Sequence, residues 1–192
     1  MTKYSKFALC ALVFGAFTMT SCSNDDGPTT PPSIYQRLGG TTLVADPDNA
    51  GQMIEKGRLS YRKVINSTVG LIVADIGSNA SGNLGEHFAP LLAEVQASNT
   101  TNLAELVDNL TDFFSFNTGG TNPVNTYSGL DMVTTHNPAL NPRMGTNSTD
   151  ANFDKFKGYV GAAAVQNGVT ANTQLYTDIV AVVESLRAPI VQ

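Results

Sequence analysis

Few residues in this chain can hold a metal or carry a proton. It has two histidines, His87 and His136, and two cysteines, Cys10 and Cys22. His136 closes the stretch from Gly119 to His136, Gly-Gly-Thr-Asn-Pro-Val-Asn-Thr-Tyr-Ser-Gly-Leu-Asp-Met-Val-Thr-Thr-His. A Leu- and Phe-rich segment runs up to Gly119-Gly120 and stops there. Ser128, with Asp131 three residues later, reads as a capping box that opens a short helix. Pro138 biases Asn137 away from helical angles, and Pro142 follows, so that helix ends near His136. An imidazole in the last turn of a short helix, facing a long apolar helix, is well suited to holding the iron of a flat apolar cofactor from one side. Its second ring nitrogen needs an acceptor, and the backbone carbonyl of Met132 or Val133 lies one turn back to supply it. The competing reading of a lone helical histidine is a surface residue or core filler. His87, beside a loop and next to Phe88, reads as a solvated helix-start residue, with a contact to the far side of such a cofactor as the less favoured reading.

Other chemistries lack their residues. There is no paired acid and base, no Ser-His-Asp candidate, no phosphate loop and no flavin or nicotinamide motif. Eleven Lys and Arg against 16 Asp and Glu give a net charge of −5, with no basic run, which argues against nucleic acid as a partner.

The N-terminus carries its own signal. Lys3 and Lys6 precede an apolar run, Phe7 to Phe17, that is too short to span a membrane as a mature helix. Met19-Thr20-Ser21-Cys22 then resembles a bacterial lipobox. The expectation is a lipoprotein signal peptide over residues 1–21, a lipidated Cys22 with a Ser/Asn/Asp/Pro/Thr tether over 22–33, and one folded domain over 34–192. The folded part then has no cysteine for a disulfide, a thiolate ligand or a nucleophile. This places the domain in the bacterial envelope, at the outer membrane, facing the periplasm or the surface.

The positioning elements read as helices throughout. Ile34 to Leu38 is a short apolar turn stopped by Gly39-Gly40, and Thr41 to Gly51 reads as loop. Helical period returns from Gln52, with a stripe of Ile65, Val69, Ile72 and Ile76. His87 to Ala97 reads as a helix. Asn102 with Glu105 signals the start of the next, with Leu103, Leu106, Val107, Leu110, Phe113 and Phe114 on its apolar side. Asp150 opens a helix that turns Phe153, Phe156, Val160, Ala163 and Ala164 inward and stops at Gly168. Thr170 opens the last, ended by Pro189. No segment alternates strictly, so the fold class is all-α.

The order of these patches resembles the group 1 truncated haemoglobins of the globin family. Tyr35-x-Arg37-Leu38-Gly39-Gly40 resembles their opening Tyr-x-x-Leu-Gly-Gly, and Thr68-Val69-Gly70-Leu71-Ile72-Val73-Ala74-Asp75 resembles their Phe-Tyr-x-x-Val-x-Ala-Asp. Phe113 to Gly120 resembles the distal helix and its Gly-Gly end. Tyr127-x-Gly129-x-Asp131-Met132-x-x-x-His136 matches their proximal motif at every defining position. Phe153-Asp154, Gly168-Val169 and Arg187 with Ile190-Val191 resemble the last two helices. The chain departs from the family by extra sequence between Gly40 and the second patch, before Phe88 and after His136.

The resemblance implies a 2-on-2 helical domain with an extra N-terminal helical segment, binding haem b with His136 as the proximal iron ligand. It implies Met132 and Leu140 under the ring, Phe88 as the aromatic wedge, and Phe113 among the apolar walls. The usual distal tyrosine falls on Val69, and the two ligand-facing distal-helix positions fall on Leu106 and Leu110. Tyr61 or Gln52 could reach in from the extra segment, Lys155 and Lys157 could meet the propionates or form a solvated face, and Met144 is a low-ranked second ligand. The implied activity is reversible binding of a diatomic gas, O2, NO or CO. The protein would not primarily be an enzyme, although nitric oxide dioxygenation would be open to it with an external reductase. Alternatives from other classes are a haem capture or transfer lipoprotein and a haem-free globin-like surface module.

Overall fold

The computed structural model describes residues 30–192. The expected signal peptide, Cys22 and most of the expected tether lie outside the described residues. The described part is mostly α-helical, as the periodicity predicts. Its organising element is α2 (Lys56–Gly77), 22 residues long and rich in β-branched side chains that favour helix only weakly. Packing therefore holds it in helical form. Gly57, Tyr61, Ile65, Thr68 and Ile72 are buried along it at steps of three and four, with Val64 and Leu59 buried beside them. Ile65 and Ile72 fall on the buried face as expected, but Thr68, not Val69, occupies its centre; Val69 and Ile76 are half-buried at its edges.

Two antiparallel helix pairs are built on α2. In the first, α4 (Thr101–Asn117) runs back along α2. Its end meets the start of α2, because the short α1 (Ile34–Arg37) bridges them. The Tyr35 N–H donates to the Thr118 carbonyl at 3.1 Å, and the Tyr35 ring lies over Gly57, where a Cβ would stand 2.8 Å from it. In the second, α6 (Asp150–Gln166) packs on α2 and on α7 (Gln174–Glu184). Tyr159 donates to Asp75 at 2.6 Å and Asn167 to Ser67 Oγ at 2.9 Å, which fixes the crossing. The core lies between the pairs, around Tyr61, Ile65, Phe114, Phe153, Val160 and Val183. The tail turn α8 (Arg187–Ile190) is clamped to α6 by Arg187, which bonds Asp150, Asp154 and Glu184 and lies 4.5 Å above the Phe153 ring.

Several local expectations are corrected. The stretch expected as loop followed by helix forms an antiparallel hairpin, β1 (Leu43–Ala45) with β2 (Met53–Glu55), Val44 opposite Ile54. Strands of three residues are too short for alternation to register. Asp46 closes the hairpin loop, donating through its N–H to the Gln52 carbonyl at 2.9 Å, and Arg62 of α2 pairs with Asp46 and Asp48 to pin it. The extra N-terminal segment is thus this hairpin plus the first turns of α2, not helix alone. The helix α3 (Ala89–Gln96) begins past His87 and Phe88. Asn102 does not open α4; its side chain donates to Glu94 at 2.6 Å instead. The last helix starts after Thr173, whose hydroxyl caps it, and Pro189 lies inside α8.

A buried polar knot ties α1, the hairpin and the α4 exit together. Tyr35 donates to the Glu55 carboxylate, to which Asn122 and Asn125 also donate at 3.1 and 3.3 Å. Burial, with Glu55 beside it, pushes the Tyr35 phenol up to about 12, so it stays a donor. Burial alone would raise the Glu55 carboxyl, but the bonds from Tyr35, Asn122 and Asn125 outweigh it, and Glu55 sits below its ordinary value. A depressed carboxylate contributes stability above its unfolded pKa and loses it as pH falls through the folded one. Urea melts should therefore weaken below about pH 4.5, the ordinary glutamate range. Glu55→Gln should cost about 1–3 kcal/mol at pH 7 and flatten part of that acid slope; an unchanged slope would mean other carboxylates carry it.

Candidate functional site

His136 ends α5 (Met132–His136), a five-residue helix whose start and stop are both set locally. Its N-cap is Asp131 itself, which accepts from the Thr134 N–H at 2.9 Å and the Thr134 hydroxyl at 2.7 Å. Ser128, expected to open the helix, lies three residues too early. The lead-in is fixed by Tyr127, which donates to the Leu130 carbonyl at 2.6 Å and sets its ring edge-on to Phe113 of α4, 5.4 Å between centroids. Gly129 is required there, because a Cβ would stand 2.4 Å from the Tyr127 hydroxyl. Asn137, at φ −98° and ψ 111°, leaves helical space just before Pro138.

The His136 ring is half-buried, and its Nδ1 stands 2.9 Å from the Met132 carbonyl. In the tautomer that satisfies this carbonyl, Nδ1 donates and Nε2 keeps a free lone pair. Burial lowers the pKa of the ring below its ordinary value; the Met132 carbonyl opposes this, and charge on His87 adds to it. The imidazole is therefore neutral at pH 7, the form that ligates metals.

The long apolar helix expected to face this ring is α4. Its deepest side chains are Thr111, Phe114 and Ser115, turned to α2, while the more apolar face carrying Leu103, Leu106, Leu110 and Phe113 is only half-buried. Leu110 and Phe113 touch the main core; Leu103 and Leu106 belong to neither buried cluster. Closest packing pairs α4 with α2, with the short turn Pro123–Asn125 and with α3, and α5 with α8, rather than α4 with α5. A neutral imidazole and a half-buried aliphatic face thus stand on separately packed elements.

The other expected residues are distributed as follows. Met132 is half-buried against the main core, and Phe88 packs with Ile72, Leu84 and Tyr159 in a second cluster that shares Phe156 with the first. Val69 is half-buried on α2. Leu140 is 61 % exposed in the loop beyond Pro138. Tyr61 does not reach in either: it stacks on Tyr35 and Phe114 and donates to Thr118 at 2.7 Å. Gln52 is exposed in the hairpin loop. Lys155 pairs with Asp75 at 2.7 Å and Lys157 with Glu184 at 2.7 Å, so both are committed within the helix layer. No protein-family model matches this chain, and no curated protein does.

Sequence reasoning misjudged the burial of His87. It is 5 % exposed, not solvated. The polar loop after α5 covers it: the Gly145 N–H donates to the His87 carbonyl at 3.0 Å, and His87 Nδ1 stands 3.2 Å from the Thr146 carbonyl. The only hint was a glycine in that loop. A cavity of about 340 Å³ between the hairpin and α2, lined by Val44, Pro47, Lys56, Leu59 and Lys63, contains none of the expected site residues.

Proposed function

We propose that this domain binds haem b through His136, in the manner of group 1 truncated haemoglobins, and reversibly takes up a diatomic gas, O2, NO or CO, at the iron. One observation carries this reading: a neutral, carbonyl-oriented imidazole with a free Nε2 at the end of a proline-stopped helix, with the half-buried aliphatic face of α4 packed elsewhere. Among the described residues no group of three or more His, Cys, Asp or Glu is arranged to hold a metal ion. A single imidazole suits an iron whose other nitrogens come from a porphyrin. The residues present fit such a group: Met132 and Phe113 offer apolar contact, Leu106, Leu110 and Val69 an aliphatic distal side, and Phe88 an aromatic edge. The antiparallel α2/α4 and α6/α7 pairs agree with a 2-on-2 globin arrangement, and the export signal would put the protein on the membrane by its lipid anchor.

When bound, the haem supplies the iron that takes the gas. His136 would supply the nitrogen that holds the iron, and Val69, Leu106 and Leu110 would exclude water beside it while offering no tyrosine or glutamine donor. Hemin titration of the full chain tests the reading: a Soret band should grow to one equivalent, and its absence overturns the proposal. Rapid loss of the haem to an apo-acceptor would favour a carrier instead. A missing hydrogen bond of about 1–3 kcal/mol predicts an oxygen off-rate on the order of ten- to a hundredfold above that of a tyrosine-bearing relative; a slow off-rate would reveal a donor on the distal side.

A further inference from the structure

Among the described residues, every lysine and arginine but two is paired with a carboxylate; the two are Lys56 and Lys63. The chain carries 16 acidic residues against 11 basic ones, so acidic partners are not scarce. Both lysines line the same cavity, the space of about 340 Å³ between the hairpin and α2. Seven positions apart on α2, they share one face of the helix and stand two turns, about 10 Å, from each other along its axis.

The cavity between them has an apolar floor, and none of its lining residues is acidic. Leu59, only 9 % exposed, lies three residues beyond Lys56, and Val44 and Pro47 close the hairpin side. The two carboxylates that flank Pro47, those of Asp46 and Asp48, are both taken by Arg62. Gly39 seats the stem of Lys56, since a Cβ there would stand 2.5 Å from the Lys56 Cγ. The Ser60 hydroxyl has the Leu38 and Lys56 carbonyls as acceptors, each at 2.9 Å. The first two amides of α2 donate to the Thr42 and Gly40 carbonyls at 2.7 and 2.9 Å. The positive charge of the cavity therefore comes from the two ammonium groups, each a compact charge with three donors.

Two such groups are matched by an anion of two charges. A carboxylate brings one. A phosphate monoester brings nearly two at pH 7, with three acceptor oxygens. The flexible four-carbon stems let both ammonium groups close on one phosphate. The volume lies at the lower end of small-molecule sites, roughly 300–1,000 Å³, which leaves space for a short apolar body beside the phosphate.

We propose that this cavity binds a phosphate monoester with a short apolar body, its phosphate between Lys56 and Lys63 and its apolar part against Leu59 and Val44. The haem reading is not needed for this, because the two sites share no residue. Such a group occurs both as the head of a phosphatidic acid in a bilayer and as a soluble alkyl phosphate.

Calorimetric titration of the full chain with hexyl phosphate is the test. Binding should saturate at one equivalent. It should be weaker for inorganic phosphate, which lacks the apolar part, and for hexanoate, which lacks the second charge. Lys56→Gln and Lys63→Gln should each weaken hexyl phosphate binding about three- to tenfold, the size of one charge-assisted contact at a partly open site. Arg143→Gln removes the same charge from an exposed pair with Glu105, outside the cavity, and should change nothing. Both lysines are exposed, so the variants should keep the fold, which circular dichroism checks; the comparison of the three ligands on wild type does not depend on them. Sedimentation with phosphatidylcholine vesicles, with and without phosphatidic acid, separates the sources. A gain from phosphatidic acid that both lysine variants lose assigns a lipid head, and hexyl phosphate binding without that gain assigns a soluble ester; either result upholds the cavity as the site. The proposal is overturned if hexyl phosphate does not saturate, if it binds no better than inorganic phosphate or hexanoate, or if Arg143→Gln weakens it as much as the lysine variants do, which would reduce the effect to net charge.

Discussion

His136→Ala is expected to abolish stoichiometric hemin uptake. Removing a group that merely orients a metal ligand costs about 10–100-fold in affinity, so removing the ligand itself should cost at least about a hundredfold. The variant should keep its fold, because His136 is half-buried at the end of a helix capped by Asp131, and neither the main core nor the second cluster includes it. Far-UV circular dichroism checks that point. Free imidazole should restore the Soret band by filling the deleted ring's place. In wild type, hemin affinity should fall as pH drops through the depressed pKa of His136, since a proton on Nε2 competes with iron. A Soret band of unchanged position and intensity in the alanine variant would remove His136 from the iron.

Gly145→Ala should be the most damaging single methyl in the described chain. The added Cβ would meet the Glu86 carbonyl oxygen at 1.8 Å, and that oxygen is backbone that cannot swing aside. Overpacking of this kind costs about 1–3 kcal/mol, and each kcal/mol lowers Tm by about 2–4 °C for a domain of this size. The same change at Gly158 is the control. A Cβ there meets nothing within 4 Å, so Gly158→Ala inside α6 should be neutral or stabilising by up to about 1 kcal/mol. Equal melting temperatures for the two variants would show that the loop after α5 is not seated on Glu86 and His87.

The helices were legible where their period was long and uninterrupted. The inward set of α6 and the proline stop after His136 fall where the sequence puts them, because each follows from spacing or from a residue that forbids helical angles; α4 is a helix as expected, but it buries Thr111, Phe114 and Ser115 more deeply than Leu103 or Leu106. The hairpin was not legible: three-residue strands carry too little pattern, and their stability comes from Arg62 holding Asp46 and Asp48, which are distant in sequence. The orientation of His136 was legible, since its carbonyl acceptor is one turn back in the same helix. The burial of His87 was not, because its cover comes from residues nearly sixty positions downstream. The exposure of Leu140 was not legible for a related reason: it depends on where the loop beyond Pro138 leads.

Among the helices flanking the candidate site, α3 is the least anchored. It buries no residue completely, and its main packing partner is α4. Backbone amides of Ala89–Gln96 should therefore exchange with solvent well before those of α2, through local openings that leave the helix pairs intact. If the domain takes up haem as proposed, a segment that lifts at low cost beside an aliphatic wall would be its doorway. Large flat guests could enter there while the rest of the fold stays closed.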